Sequence, residues 1–310
     1  MKPLSSQDIK GTWATVLLPI TPDESIDWSR LADEINILVL SGVDGIYSNG
    51  TAAEFYAQSE DEFDRLHEML ADKCEKARIP FQIGASHPVA QTLLSRVRRA
   101  TNWRPGAIQV TLPDWFPVNE REARRFLERV AGAAAPIGLV LYNPPHAKRI
   151  LSPEELGRLA RDVPALVGVK VAGGDKAWYA AMRENAPALS LFVAGHSLAG
   201  GMSEGACGSY SNVACLSPRG AKRWNQLMVT DLKEALEIER RIQLFLAEYI
   251  HPYQSNRGVS NQALDKLLAG IGGWADIGLR LRWPYDWIEE EEAFRLRPVA
   301  RRMIPELFED

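Results

Sequence analysis

Short apolar runs alternate with amphipathic stretches through the first two thirds of the chain. Eight runs stand out: Trp13–Ile20, Asp44–Ser48, Pro80–Ala85, Ala107–Leu112, Ile137–Tyr142, Leu166–Val171, Leu189–Ala194 and Cys207–Val213. Runs such as IGLVLY and LVGVKV are apolar without strict alternation, the pattern of strands covered by helices on one face and closed inside a barrel on the other. They recur roughly every 25 to 35 residues, a spacing that leaves room for one helix between each pair and signals parallel βαβ units. The intervening stretches carry helix signals. Ser152, Pro153 and Glu155 form a capping box with proline at the first helical position, ahead of Leu156, Leu159 and Val163. Ser59 and Glu62 repeat the arrangement before Phe63, Leu66 and Leu70, and an earlier helix presents Leu31, Ile35 and Leu38 before stopping near Gly42.

After Val213 only helical patterns remain: AKRWNQLM, LKEALEIERRIQLFLAEYI, NQALDKLLAGI and EEEAFRLRPVARRMIPELF, separated by the segments SNRGVS and RLRWPYDW. The expected fold is therefore an α/β (β/α)₈ TIM barrel over residues 1–217, carrying the active site, with a C-terminal helical region over residues 218–310.

Composition narrows the class without changing the fold. Of 310 residues, 46% are hydrophobic and 25% charged, with 23 Gly, 19 Pro and 3 Cys, which excludes collagen-like, low-complexity and disulfide-scaffold chains. A net charge of −4, from 36 basic and 40 acidic residues spread along the chain, gives no footprint for nucleic acid or an anionic membrane. The start, MKPLSSQDIK, lacks the apolar core of a signal peptide, and no run approaches the length of a membrane span, so a cytoplasmic protein is expected. Cys74, Cys207 and Cys215 read as reduced thiols.

In such a barrel, chemistry sits at the C-terminal ends of strands. Lys170 interrupts the apolar run ALVGVKVAGG, where an ammonium is costly to desolvate. Half-neutralising an ordinary lysine near pH 7 takes about 4–5 kcal/mol of differential destabilisation, which a barrel interior can supply. Such an amine is a candidate Schiff-base nucleophile. It could equally pair with a buried carboxylate or reach out to the mouth. Tyr142 ends the fifth run, where a phenol can relay a proton or simply pack, and Asn-Pro-Pro after it makes a stiff loop. Gly50 allows close backbone approach, and the N–H groups from Thr51 to Ala53 could cradle a carboxylate or merely cap a turn.

Taken together, Gly50-Thr51-x-x-Glu54, Tyr142-Asn143-x-Pro145, Gly168-x-Lys170 and Ala194-Gly195, in this order on successive strands, resemble the dihydrodipicolinate synthase and N-acetylneuraminate lyase family of class I aldolases. The resemblance runs from Gly11 into the final helices. It implies a lyase in which Lys170 forms an imine with pyruvate or another 2-keto acid, Tyr142 relays protons, Thr51 orients that phenol, and Gly195 and the backbone around Tyr210 shape the site. It also implies a homo-oligomer, dimer or tetramer, and no metal or organic cofactor. The departures bear on substrate: Ala52 stands where the family often has a second hydroxyl residue, Ala147 where dihydrodipicolinate synthases place an arginine, and Asp114 or Trp115 where the family has a tyrosine. These argue for a keto acid other than that of lysine biosynthesis. Its carboxylate is expected at Thr51, Ala52 and Ala53, and its variable end, a sugar-acid or an apolar tail, toward Asp114, Trp115, Phe116, His146 and His196. Two other readings stay open. His87, His146 and His196 follow strands three, five and seven and could bind a metal with Glu54 or Asp114. The barrel could also bind a keto acid without turning it over.

Overall fold

The computed structural model describes residues 1–309. Eight parallel strands close into a barrel in chain order, β1 (Gly11–Thr15), β2 (Gly45–Ser48), β3 (Phe81–Gly84), β4 (Ala107–Thr111), β5 (Gly138–Tyr142), β6 (Leu166–Lys170), β7 (Ser190–Phe192) and β8 (Gly208–Tyr210), with β8 pairing back onto β1. Between them run α1 (Trp28–Leu40), α2 (Glu60–Ala77), α3 (Ala90–Ala100), α4 (Glu120–Ala134), α5 (Pro153–Asp162), α6 (Lys176–Asn185) and α7 (Leu198–Ser203). The helices begin where the capping chemistry puts them. Ser59 with Glu62 and Ser152 with Glu155 each exchange side-chain and backbone bonds at a helix start, and Asn119 with Glu122 adds a third capping box at α4.

Every predicted strand is present, each shorter than the apolar run that marks it, and the first and the eighth stop well before their runs do. The first ends at Thr15 because Leu17 donates its N–H to the Glu34 carboxylate of α1 at 2.7 Å, so Val16–Leu18 continue as buried, non-sheet backbone. The eighth ends at Tyr210 because the Ser211 hydroxyl caps a short helix, α8 (Asn212–Leu216), by accepting the Ala214 N–H. The rest of the chain forms α9 (Pro218–Thr230), α10 (Leu232–Phe245), α11 (His251–Arg257), α12 (Asn261–Gly272) and α13 (Glu290–Met303). The sequence pattern placed no helix at α8 or α11. Helix α9 packs against β1 and α8, so helices on both sides of residue 217 cover the barrel there. Helix α12 packs against α8, α13 and the turn that follows β2. No helix among the described residues is long and apolar enough to cross a membrane.

Two cores result. The larger lies between strands and helices; a smaller one, Ile9, Trp13, Tyr47, Ala107, Val140, Phe192 and Tyr210, fills the barrel. The N-terminal segment closes its lower end, with Leu4 against this inner cluster and the Ile9 carbonyl accepting from the Ser190 hydroxyl at 2.6 Å.

His67 of α2 is fully buried against Phe63 and Trp103, with its ring nitrogens 2.8 Å from the Ser48 hydroxyl and 2.7 Å from the Phe63 carbonyl. Burial pulls its pKa down to about 3. A base whose folded pKa is depressed contributes stability above the unfolded value near 6.5 and loses it as pH falls from there toward 3. Stability should therefore drop by up to about 1.4 kcal/mol per pH unit below 6.5 on account of this group. Urea unfolding between pH 7 and 5 should show a shallower fall for His67→Gln; equal slopes would refute the assignment.

Candidate active site

Adjacent strands set the central pair. Tyr142 and Lys170 are cross-strand partners at the last positions of β5 and β6, and Lys170 also sits opposite Phe192 of β7. Strand alternation turns both inward, and the Lys170 ammonium nitrogen lies 4.3 Å from the centre of the Tyr142 ring and 5.5 Å from that of Tyr210. Both line a cavity of about 360 Å³ at the C-terminal mouth of the barrel, together with Thr51, Ala52, Gly195, His196 and Tyr210.

The floor is a layer of aromatic rings pinned by amides. Tyr210 donates to Gln82 at 2.6 Å and Tyr47 donates to Gln109, all four side chains being buried, and burial pushes both phenols upward from their ordinary pKa. Their protons are held by these bonds. Tyr142, by contrast, opens onto the cavity. The loop beyond it is fixed by Asn143, whose amide donates to the Arg149 carbonyl at 2.9 Å and accepts the Leu151 N–H at 2.8 Å.

After β2 the chain makes a single tight turn, Thr51–Ala53, with Ala53 donating to Gly50 and Glu54 to Thr51. Gly50 is required: a Cβ there would lie 2.5 Å from the Tyr47 ring. Thr51 and Ala52 face the cavity. Ala53 does not, since it is fully buried and its N–H is consumed within the turn, which reduces the expected three-residue anion cradle to two N–H groups. Thr51 also shares with Tyr142 a side cavity of about 120 Å³, although its hydroxyl makes no hydrogen bond among the described residues.

Two inward-set lysines, Lys266 fully buried and Lys170 half-buried, compete for the role of nucleophile, and their partners separate them. Lys266 of α12 is fully buried and pairs at 3.1 Å with Glu54, also fully buried, which in turn accepts the Arg282 N–H at 3.0 Å. Burial lowers the Lys266 pKa and the Glu54 charge opposes that, so this amine is held as a structural cation. Lys170 has no carboxylate within 4.0 Å among the described residues and faces open space.

The far wall of the cavity comes from the C-terminal helices and was not read from the sequence. It holds Asn261 and Asp265 of α12, His251 and Gln254 of α11, and Ser211, Asn212 and Cys215 from the β8–α8 segment. Asp265 lies deep in the molecule yet opens onto the cavity, and burial raises its carboxyl pKa to about 6 against the opposing charge of Lys170. Adjacent charges at Asp265 and Lys266 inside an otherwise apolar helix were the available signal: one faces the cavity and the other the β2 turn. The segment Leu246–Ile250 between α10 and α11 is wound as a π-helix, and Leu246 and Ile250 line the same wall. His196 is braced by Asn212, within 3.3 Å of its ring and main chain, and burial lowers its pKa.

The predicted substrate contacts on the fourth strand's loop fall elsewhere. Trp115 and Phe116 are 90% and 82% exposed and line neither cavity, because Lys148 draws this loop outward: its N–H bonds the Asp114 carboxylate at 2.9 Å and its ammonium the Trp115 carbonyl at 2.8 Å. Asp114 and His146 border the side cavity, not the main one. The metal reading also fails on geometry. His87 accepts the Val89 N–H at 3.0 Å outside both cavities, His146 and His196 occupy different cavities, and Glu54 is committed to Lys266. Among the described residues, no three His, Cys, Asp or Glu side chains converge on a metal-sized site.

The model of the dihydrodipicolinate synthetase family matches residues 8–273. Among curated proteins, a DapA-like lyase of Halobacterium salinarum is 28% identical over 211 residues, 68% of this chain and 69% of its own. A trans-O-hydroxybenzylidenepyruvate hydratase-aldolase of Sphingobium xenophagum is 25% identical over 56% of this chain and 54% of its own. Among solved structures, YagE of E. coli K12 in complex with pyruvate superposes with a TM-score of 0.83 at 20% identity, covering 95% of this chain and 98% of that one. A catalytic lysine mutant of the sialic acid aldolase of Ruminococcus gnavus covers 99% of this chain and 98% of its own at 19% identity, with a TM-score of 0.82.

Proposed function

This chain belongs to the dihydrodipicolinate synthetase family, and from that premise we propose that it is a Schiff-base-forming lyase acting on pyruvate or a larger 2-keto acid. The observation that carries the reading is the unpaired Lys170 amine, 4.3 Å from the Tyr142 ring centre in the cavity at the barrel mouth. The E. coli relative crystallised with pyruvate and the R. gnavus aldolase with its catalytic lysine support it.

In this mechanism the neutral Lys170 amine adds to the keto carbon, and two proton transfers expel the carbonyl oxygen as water, leaving a protonated imine. That cation draws the electrons of the C3–C4 bond. As the bond breaks, Tyr142, a phenolate because its proton left with the water of imine formation, takes the proton of the C4 hydroxyl, releasing an aldehyde and leaving an enamine, which recovers a proton at C3 from the phenol. Water then frees pyruvate and the amine. If a C3 proton of the imine is removed by the Tyr142 phenolate instead, the resulting enamine still carries C4 and expels its hydroxyl, which leaves as water with the proton of the phenol, giving dehydration. The N–H groups of Thr51 and Ala52 receive the substrate carboxylate.

The partner substrate differs from that of dihydrodipicolinate synthase. With Ala147 in place of the family arginine, the nearest cations are Lys148, bound to the Trp115 carbonyl, and Arg149, paired with Glu155 at 2.6 Å. Neither is free to hold a second carboxylate. The far wall supplies amide, hydroxyl and imidazole groups instead, suited to a hydroxylated tail.

Incubation with pyruvate and borohydride, followed by peptide mass spectrometry, should place a reduced adduct on Lys170; absence of any adduct with pyruvate and with a panel of longer 2-keto acids would overturn the reading. Tyr142→Phe should still trap pyruvate while its turnover falls by about 10²–10⁴, the usual worth of a positioned proton-transfer group. Turnover within threefold of the parent would remove Tyr142 from the mechanism.

A further inference from the structure

The cavity contains two side chains of opposite charge that nothing in the protein neutralises. Lys170 reaches it from β6 and Asp265 from α12, and neither has an oppositely charged group within 4.0 Å among the described residues. The adjacent residue shows what direct contact does: Lys266 and Glu54, at 3.1 Å, lock one another as a permanent ion pair. The Asp265 side chain also makes no hydrogen bond within 3.5 Å among the described residues, although it is half-buried in the cavity wall.

Of the other titratable groups on this cavity, the imidazoles of His196 and His251 are the ones able to carry positive charge. Tyr210 and Tyr47 are bonded to Gln82 and Gln109. Cys215 of α8 is buried and its pKa raised, with the Asp265 and Glu34 charges adding to burial. His196 is held by Asn212 with its pKa lowered, and His251 of α11 adds its repulsion to that lowering.

Resting on the imine reading above, we infer that Asp265 is the through-space counter-charge of the protonated imine formed on Lys170, a positioning residue contributed by the C-terminal helices. The spacing explains why it is not in contact. A carboxylate touching the amine would hold it as ammonium and prevent attack, as Glu54 does to Lys266. Set back across the cavity, it leaves the amine free to lose its proton, yet favours the fixed cation that appears once the imine is formed. The charge of that imine and the ionisation of Asp265 therefore support each other. Helix α12 is anchored for this task through Lys266, which faces the opposite way and ties the helix to the β2 turn.

The test is the pH dependence of borohydride trapping with pyruvate in the full chain. Asp265→Asn should shift the alkaline limb of the trapping profile downward by about one pH unit, equivalent to about a fivefold loss of adduct at the pH where the parent is half-trapped. Asp265→Glu should restore the limb. A purely structural role would lower trapping equally at every pH, alongside a fall in Tm, and that result or an unshifted profile would overturn the inference. Should the amide variant be unstable, Asp265→Ser, which leaves room for water, gives the same comparison. If the parent itself traps no keto acid, the imine reading fails and this inference with it, whereas a trapping parent with an unaltered Asp265→Asn profile defeats this inference alone.

Discussion

Lys170→Ala should yield no borohydride adduct with any 2-keto acid and should lose turnover by on the order of 10⁴-fold or more, the scale on which enzymes depend on a covalent nucleophile. The fold should survive. Lys170 forms no ion pair among the described residues and its ammonium lies beside the Tyr142 and Tyr210 rings at the open cavity, so its removal costs only modest packing. Circular dichroism and Tm should therefore stay near those of the parent while chemistry disappears. Residual turnover within a hundredfold of the parent, with no adduct formed elsewhere, would move the reaction away from this amine altogether.

Lys266→Met should be the most destabilising single change of this kind. It strands the fully buried Glu54 carboxylate with only the Arg282 N–H as partner and with the buried Glu34 acid nearby. Breaking a buried pair from one side costs about 3–5 kcal/mol, because the remaining charge stays desolvated. Chemical denaturation should register that loss. The double variant Glu54→Leu/Lys266→Met should recover much of it, since no unpaired charge is left behind; equal losses in single and double variants would show that packing, not charge, holds α12 in place. The same pair joins the Thr51 turn to the helix bearing Asp265, so the single variant should also bind keto acids more weakly even at temperatures where it is folded.

Local chemistry made the barrel readable before any coordinates. The capping residues at 59 and 152 act over three or four positions, and the strands sit wherever an apolar run meets a turn, so α2, α5 and β2 through β7 follow from neighbours in sequence. Lys170 and Tyr142 were visible because polar groups at the ends of such strands are costly unless used. The far wall was not visible. Asp265 and His251 reach the cavity only through the packing of α11 and α12 across the mouth, a relation between elements up to about 200 residues apart that no periodicity records. The loop bearing Trp115 misled for a similar reason: its rings read as contacts for the substrate's variable end, whereas Lys148 binds the Asp114 carboxylate and the Trp115 carbonyl and both rings stand exposed.

The wide-wound stretch at Leu246–Ile250 has a consequence for how such a protein can change its preferences. A π turn takes in one more residue than a regular helical turn, so removing a single codon there should let the helix close to ordinary winding while His251 and Gln254 keep their register on the pocket. Only the stretch of wall from Leu246 to Ile250 would repack, while all eight strands and the amine kept their positions. New selectivity could thus arise by shortening the chain by one, with no substitution in the reaction chamber itself.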